Sequence, residues 1–397
     1  MFSNLNKKRV NKRYVPKLRF KGFEGEYKEI KISNVSKFYK GDGYSKKDII
    51  DNGKYEVILY GDLFTTYKNN IEEIKYKTNR IGNKKTRNNS ILFPGSSTSL
   101  NDFFPCCSIK KEVFAGSDLN IFELNINEDS LYYSYCFSKP YHLKNIFRLT
   151  EGSTINHLYG KYISEYKLIV PDQLIEQEEI SSFFNLLDKQ ISLLENKLKL
   201  TELKMKDFIK KSNIENSKLK IKDISIVIDG FPFKQTSYVK EGIPIYTISN
   251  IGDNKFIDTI EYKYTNIKID SKYQLNKGDI FASLTGEKGF KSLLYQNENK
   301  NYINQRTIKI EIKNNYSPEL LQFWCFKNKR KISLLATGSQ KNISKKDVEN
   351  FLVPKCTKEN INLSKIFFNY IKNVQLIQDK LHVLNKRKTF FLKNLFI

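Results

Sequence analysis

Ile180-Ser181-Ser182-Phe183-Phe184-Asn185-Leu186-Leu187-Asp188-Lys189-Gln190-Ile191-Ser192-Leu193-Leu194-Glu195-Asn196-Lys197-Leu198 is the stretch whose spacing decides the architecture. Apolar residues recur at Ile180, Phe184, Leu187, Ile191, Leu194 and Leu198, and the same alternation of four and three continues through Thr201 to Met205 and Phe208. That is the heptad seam of a coiled-coil helix. Pro171-Asp172 and the acids Glu176, Glu178 and Glu179 are start signals, and Lys210-Lys211-Ser212-Asn213 are stop signals. From Asp172 to Ser212 such a helix is about 60 Å long, at about 1.5 Å per residue.

The pattern returns 183 positions later as Leu363, Phe367, Tyr370, Val374, Ile377, Leu381 and Leu384, with Lys388 as a polar interruption before Phe391. One amphipathic helix could pack on its own domain; two of the same phase in one chain point to packing on each other. The sequence ahead of each helix is also written twice. Ile32-Ser33-Asn34-Val35, Gly41, Gly53, Ile91 and Cys136-Phe137 correspond to Ile221-Lys222-Asp223-Ile224, Gly230, Gly242, Ile280 and Cys325-Phe326, each 189 positions on. Ile146, Leu149, Gly152-Ser153 and Asn156 correspond to Ile332, Leu335, Gly338-Ser339 and Asn342 at 186, and Val170-Pro171 to Val353-Pro354 at 183. Ordered matches with two three-residue deletions indicate a duplicated unit. Within each, short runs such as Tyr55-Glu56-Val57-Ile58-Leu59-Tyr60 and Ile243-Pro244-Ile245-Tyr246-Thr247-Ile248 read as strands between long loops. The expected fold class is therefore α+β, with two duplicated mixed α/β domains and two long helices. The boundaries fall at 1–171, 172–213, 214–354 and 355–397.

The chain has 397 residues, 40% hydrophobic and 28% charged, enough for two domains with their own cores. Its net charge of +25 fits a polyanionic partner, nucleic acid first. There is no apolar run long enough to cross a membrane, and Met1-Phe2-Ser3-Asn4-Leu5-Asn6-Lys7-Lys8-Arg9 lacks the apolar core of a signal peptide. A cytoplasmic protein without a membrane partner is the expectation. Cys106, Cys107, Cys136, Cys325 and Cys356 form no C-x-x-C pair, and with His142, His157 and His382 they offer no metal site.

Catalytic motifs are missing. There is no phosphate-binding P-loop and no Gly-rich dinucleotide turn. The Asn/Asp-Pro-Pro-aromatic motif of DNA amino-methyltransferases is absent: Ser138-Lys139-Pro140-Tyr141 has a single proline. A nuclease-like pattern spelled by Pro171-Asp172 and Glu195-Asn196-Lys197 spreads its carboxylates about 35 Å along one helix, too far to share a metal. His157 has no coupled nucleophile, and its counterpart in the second unit is Ile343.

Polar loops that could read DNA are plentiful. The first unit offers Tyr44, Ser45, Lys46 and Lys47; Thr65, Thr66, Tyr67 and Lys68; Lys84, Lys85 and Arg87; Ser96, Ser97 and Thr98; and Ser153, Thr154, Asn156 and His157. The second offers Lys234, Gln235 and Thr236; Ser283, Thr285 and Lys288; Gln305 and Arg306; and Ser339, Gln340, Lys341 and Asn342. Arg and Lys suit guanine edges and phosphates, Asn and Gln suit adenine, and Ser and Thr suit phosphate oxygens.

With these features the chain resembles a specificity subunit of a Type I restriction-modification system. Val15-Pro16-Lys17-Leu18-Arg19-Phe20-Lys21-Gly22-Phe23-Glu24-Gly25-Glu26-Tyr27 is similar to the lead-in of these subunits. Gly152-Ser153-Thr154, Ile169-Val170-Pro171, Glu176-Gln177-Glu178-Glu179-Ile180 and Leu187-Asp188 are similar to the family's passage from recognition domain into conserved helix. The resemblance implies two target recognition domains and an antiparallel coiled coil of two conserved helices with pseudo-two-fold symmetry. It implies double-stranded DNA, two methylation subunits and restriction subunits as partners. S-adenosylmethionine, ATP and Mg would be carried by those partners, leaving this chain a non-catalytic reader of a split target. The second unit departs from the pattern: Gly338-Ser339-Gln340-Lys341-Asn342 replaces the fuller Gly-Ser-Thr run, and Lys355-Cys356-Thr357-Lys358-Glu359-Asn360 lacks the Glu-Gln pair. The competing reading is a stand-alone nucleic-acid-binding adaptor without a methylation partner.

Overall fold

The computed structural model describes residues 14–97, 103–214, 217–251, 262–284, 290–299, 301–313, 315–337 and 342–397. It divides into two compact units, residues 1–193 with 382–397 and residues 194–381. Four helices organise them: α1 (Ser130–Phe137), α2 (Leu174–Lys211), α3 (Pro318–Lys327) and α4 (Lys358–Leu395). Both long helices have 38 residues, and each unit takes part of each.

In unit 1 a five-stranded sheet has the order Ser36–Lys40, Leu119–Leu124, Ser90–Pro94, Cys107–Ile109, Asn70–Ile71. Ser90–Pro94 is buried along its whole length, as a central strand covered on both faces should be. A smaller sheet joins Tyr55–Ile58 to Tyr76–Thr78 and, in parallel, to Phe114–Ala115. Asp129 caps α1, its carboxylate accepting from the amides of Leu131 and Tyr132, and all eight residues of the helix are buried. Against α1 lie Phe184 of α2 and Phe396: the Tyr135 and Phe184 rings are 5.2 Å apart and those of Tyr132 and Phe396 are 5.1 Å apart. Strand, helix and seam therefore share one core.

Unit 2 repeats this plan. Its main sheet runs Ser225–Asp229, Thr307–Ile312, Ile280–Ser283, Ser292–Leu294. The cross-strand row Phe38, Phe122, Ile91 of unit 1 reappears as Val227, Ile310, Ile280. Its second sheet pairs Ile245 with Tyr302 in parallel, as Val57 pairs with Phe114. Ser317 caps α3 as Asp129 caps α1. Gly41 and Gly230 recur because neither site has room for a side chain: a Cβ would sit 2.0 Å from the carbonyl oxygen of Gly116 in one unit and 1.9 Å from that of Asn304 in the other.

Within unit 1, α2 and α4 run antiparallel. Phe183 meets Phe391, ring centroids 4.9 Å apart, and one helical turn further along α2 the Asp188 carboxylate accepts from Lys388 Nζ at 2.6 Å. Lys388, the polar break in the second heptad run, thus has a partner on the facing helix. In unit 2, Phe208 packs on Tyr370 and on Phe323 of α3. Of the seam residues, Ile180, Phe184, Leu187, Ile191, Met205, Phe367, Val374 and Ile377 are buried; Leu194, Leu198, Leu363, Tyr370, Leu381 and Leu384 are half-buried.

The departure at the start of the second long helix is smaller than the sequence suggests. Gln177 donates from Nε2 to the carbonyl of Pro171 at 3.1 Å, and Asn360 donates from Nδ2 to that of Lys355 at 2.9 Å. Glu359-Asn360 therefore stands where Glu176-Gln177 stands, one methylene shorter at the amide.

Candidate nucleic-acid interface

Two of the expected loops of unit 1 meet at a short antiparallel pair, Asn156 opposite Ser97 and His157 opposite Ser96. The pair is held by Leu158 N donating to the Gly95 carbonyl at 2.8 Å and by reciprocal backbone bonds between Glu151 and His157. Gly152 has φ +127°, and a Cβ there would strike the Ile155 carbonyl, so only glycine closes this loop. The turn leaves Ser153, Thr154 and His157 exposed. Beside them the His157 ring stacks on Tyr159, and Lys161 Nζ sits over Tyr159 at 5.5 Å and Tyr162 at 4.7 Å. This cation-aromatic group was absent from the sequence candidates; the interleaved Tyr159-Gly160-Lys161-Tyr162 is the signal that could have found it.

The Gly41–Lys47 and Arg80–Arg87 loops also come together. Asp42 accepts from the backbone amide of Asn83 at 2.7 Å, and this bond with the one from Gly43 N holds its carboxyl below the usual range. Ser45, Lys46, Lys47, Lys84, Lys85 and Arg87 are exposed, with Arg87 paired to Glu112 and Lys85 over the Phe114 ring. Thr65, Thr66 and Lys68 are exposed on a separate turn, where Tyr67 is half-buried and accepts from Lys75 N.

In unit 2, Lys234, Gln235 and Thr236 form an exposed turn. Its neighbour Phe231 links it to a second exposed pair, Gln305 and Arg306, because the Gln305 amide donates to the Phe231 carbonyl. Arg306 adopts φ 67°, the left-handed conformation of a tight turn. Ile343, the counterpart of His157, is buried, while Asn342 beside it is exposed and bridges to Thr337. Thr98, Thr285, Lys288, Ser339, Gln340 and Lys341 lie outside the described residues.

Five candidates prove to be buried: Tyr44, Ser96, Ser97, Asn156 and Ser283. Tyr44 packs against Phe114 and donates its hydroxyl to the Arg80 carbonyl; Ser96 donates to Asp118; Ser283 Oγ accepts from Lys291 N. Asn156 and Ser97 are turned inward by their shared strand pair. Tyr44, Ser96 and Ser283 thus shape the loops rather than face a ligand, since a polar group in a loop is pulled inward where the fold offers it a partner, whereas the buried Asn156 Nδ2 has no hydrogen-bond partner among the described residues.

Among the described residues no group of three or more His, Cys, Asp or Glu side chains could hold a metal ion. All five cysteines are free. Burial pushes the thiols of Cys107, Cys136 and Cys325 up to about 12, far from a reactive thiolate. No described helix is long and apolar enough to cross a membrane.

Exposed polar loops on duplicated α+β units of a basic chain suit a polyanionic ligand. Residues 24–203 match the family model described as the Type I restriction modification DNA specificity domain. Over nearly the whole chain the fold resembles that of a solved Type I restriction-modification S subunit. It is similar to the S subunit from M. genitalium, with 16% identity, a TM-score of 0.69, and coverage of 96% of this chain and 99% of that one. The HsdS subunit from Thermoanaerobacter tengcongensis aligns at 13% identity and a TM-score of 0.41, covering 93% of this chain and 96% of that one. No curated protein sequence matches the chain significantly.

Proposed function

We propose that this chain is the address-reading subunit of a Type I restriction-modification assembly, with one half of a split DNA target read by each unit. The observation that carries the reading is the duplication in three dimensions: a main sheet with the same central strands and register and a capped helix, built twice, each with its own exposed polar loops. Two linked readers address two half-sites, commonly about 34 Å or one helical turn apart. Ser153, Thr154, His157, Lys84 and Lys85 in unit 1, and Lys234, Gln235, Thr236, Gln305 and Arg306 in unit 2, are the exposed residues assigned to DNA.

Methylation subunits would dock on the long helices. Away from the seam, α2 exposes Leu186, Leu193 and Leu200 at intervals of seven, and α4 exposes Leu376, Val383 and Phe390 at the same interval. In unit 1 the register set by Asp188 and Lys388 brings Leu186 level with Phe390 and Leu193 level with Val383. Exposed apolar rows of this kind suit a helical partner. S-adenosylmethionine, ATP and Mg then belong to the partner subunits, and this chain performs no chemistry.

The test is long-read mapping of modified bases in cells with the gene intact or deleted. A split adenine-methylated motif lost on deletion is the expected result; an unchanged methylome with no methylation subunit in a pull-down would instead favour a stand-alone adaptor. Exchanging residues 218–352 for those of a homologous subunit should change one half-motif only. A change in both halves would contradict independent reading.

A further inference from the structure

The starts of the two long helices differ in one respect that the duplication exposes. In unit 1 the segment before the first strand lies across the start of α2. Arg19 donates from Nε and one terminal nitrogen to both oxygens of Glu176, each at 2.8 Å, and Tyr27 OH donates to the same carboxylate at 3.0 Å. Phe20 covers Phe183, ring centroids 5.8 Å apart, and Leu18 N donates to the Asn394 carbonyl. Glu176 is left only 1% exposed. In unit 2 the frame is the same: Ser364 Oγ donates to the Ile361 carbonyl as Ser181 Oγ does to that of Glu178, and Phe367 is as buried as Phe184.

Nothing described crosses this second start. Glu359 is exposed and has no partner among the described residues, and Ile366, which replaces Phe183, is 44% exposed. Beside them opens a cavity of about 680 Å³ lined by Asn213, Ser217, Lys218, Lys355, Thr357, Glu359 and Asn360. The cause is connectivity. Unit 1 has a lead-in before its first strand, whereas unit 2 is entered from the end of α2 at Lys211, with its first strand already at Leu219. That connection is seven residues long, half of the fourteen described ahead of the first strand of unit 1.

We propose that this cleft is a docking site for a segment of a partner protein with the chemistry of the strap: an arginine followed by an aromatic residue, then carboxylates. Glu359 presents the acceptor for a guanidinium fork, the arrangement that Arg19 completes in unit 1. Ile366 offers the apolar platform for the ring. Lys218, which occupies the place of Glu29, and Lys355 both line the cavity, so the segment needs acidic residues beyond its aromatic, as the strap has Glu24 and Glu26. The volume lies within the roughly 300–1,000 Å³ of ordinary binding pockets. The chain's own strap is not the occupant, because its departure would strand the buried Glu176 charge. This inference is independent of what the loops read.

The probe is a synthetic peptide of residues 14–27 with a photo-reactive benzophenone in place of Phe20, added to the full chain. One binding site is expected by fluorescence anisotropy, with crosslinks confined to Asn213, Ser217, Lys218 and residues 355–366. Glu359→Gln in the chain, or Arg19→Ala in the peptide, should each weaken binding tenfold or more; the exposed position of Glu359 leaves folding intact. Absence of binding, equal binding to E359Q, or crosslinks around Glu176 and Phe183 would overturn the assignment. Self-association of the chain that E359Q abolishes would also overturn it, making a second copy the occupant.

Discussion

Arg19→Ala is the substitution whose outcome follows most directly from the structure of unit 1. It removes both charge-assisted bonds to a carboxylate that is 1% exposed and leaves Tyr27 OH as the remaining donor. Breaking a buried ion pair on one side costs about 3–5 kcal/mol, and the low end applies because the Arg19 side chain is 15% exposed. About 3 kcal/mol corresponds to roughly 150-fold in the opening equilibrium, at about 1.4 kcal/mol per factor of ten. The loss should appear in hydrogen exchange of α1 amides, which open with the core that the strap and α2 complete. Trp324, the single tryptophan, is buried in unit 2 with Nε1 donating to the Leu352 carbonyl, so its fluorescence transition should stay in place. The decisive variant is the double one. Neutralising Glu176 as well, in R19A/E176Q, removes the stranded charge and should restore part of the stability. If the double variant is as unstable as the two single losses added together, the buried-charge explanation is wrong.

Three further outcomes are expected. Burial, and then the charge of Lys139, depress His142 to about 4 in the folded chain, so between about pH 6.5 and 4 the unfolded state binds the extra proton. Stability should fall as pH drops through that window, by up to about 3 kcal/mol, and urea midpoints for His142→Gln should lose that slope if the histidine is its source. Gly41→Ala and Gly230→Ala should each cost about 3 kcal/mol or more, since the new methyl overlaps a backbone carbonyl in both units; only G230A should shift the Trp324 transition, and an equal shift in G41A would contradict separate cores. Leu194→Pro breaks α2 where the side chain is half-buried and costs about 3 kcal/mol or more of helix; co-purification with a methylation subunit should be lost while exchange protection of α1 and α3 persists, and retained co-purification would refute docking on the long helices.

The exposed loop residues are a harder matter than the helices. Lys46, Lys84, Lys234 and Arg306 were recognisable as candidates because their charge has few uses in a core, and they are exposed. Ser96, Ser97, Asn156 and Ser283 belong to residue types equally at home inside or outside, and the packing of the finished fold decides between the two, as it does where Ser96 meets a distant partner. Asp118, which takes the Ser96 hydroxyl, is 22 residues away.

What the amino-acid order determined alone is whatever repeats locally. The heptad phase of α2 and α4 is a property of neighbours three and four apart, and the short strand runs likewise depend on a few adjacent residues. Only the tertiary structure decided which partners those elements meet. Arg19 finds Glu176 across 157 positions and Lys388 finds Asp188 across 200. No periodicity encodes such pairs, because burying a charge depends on what the whole fold places around it. The difference between a sealed Glu176 and an open Glu359 is of the same kind: two similar local sequences, one with a strap over it and one without.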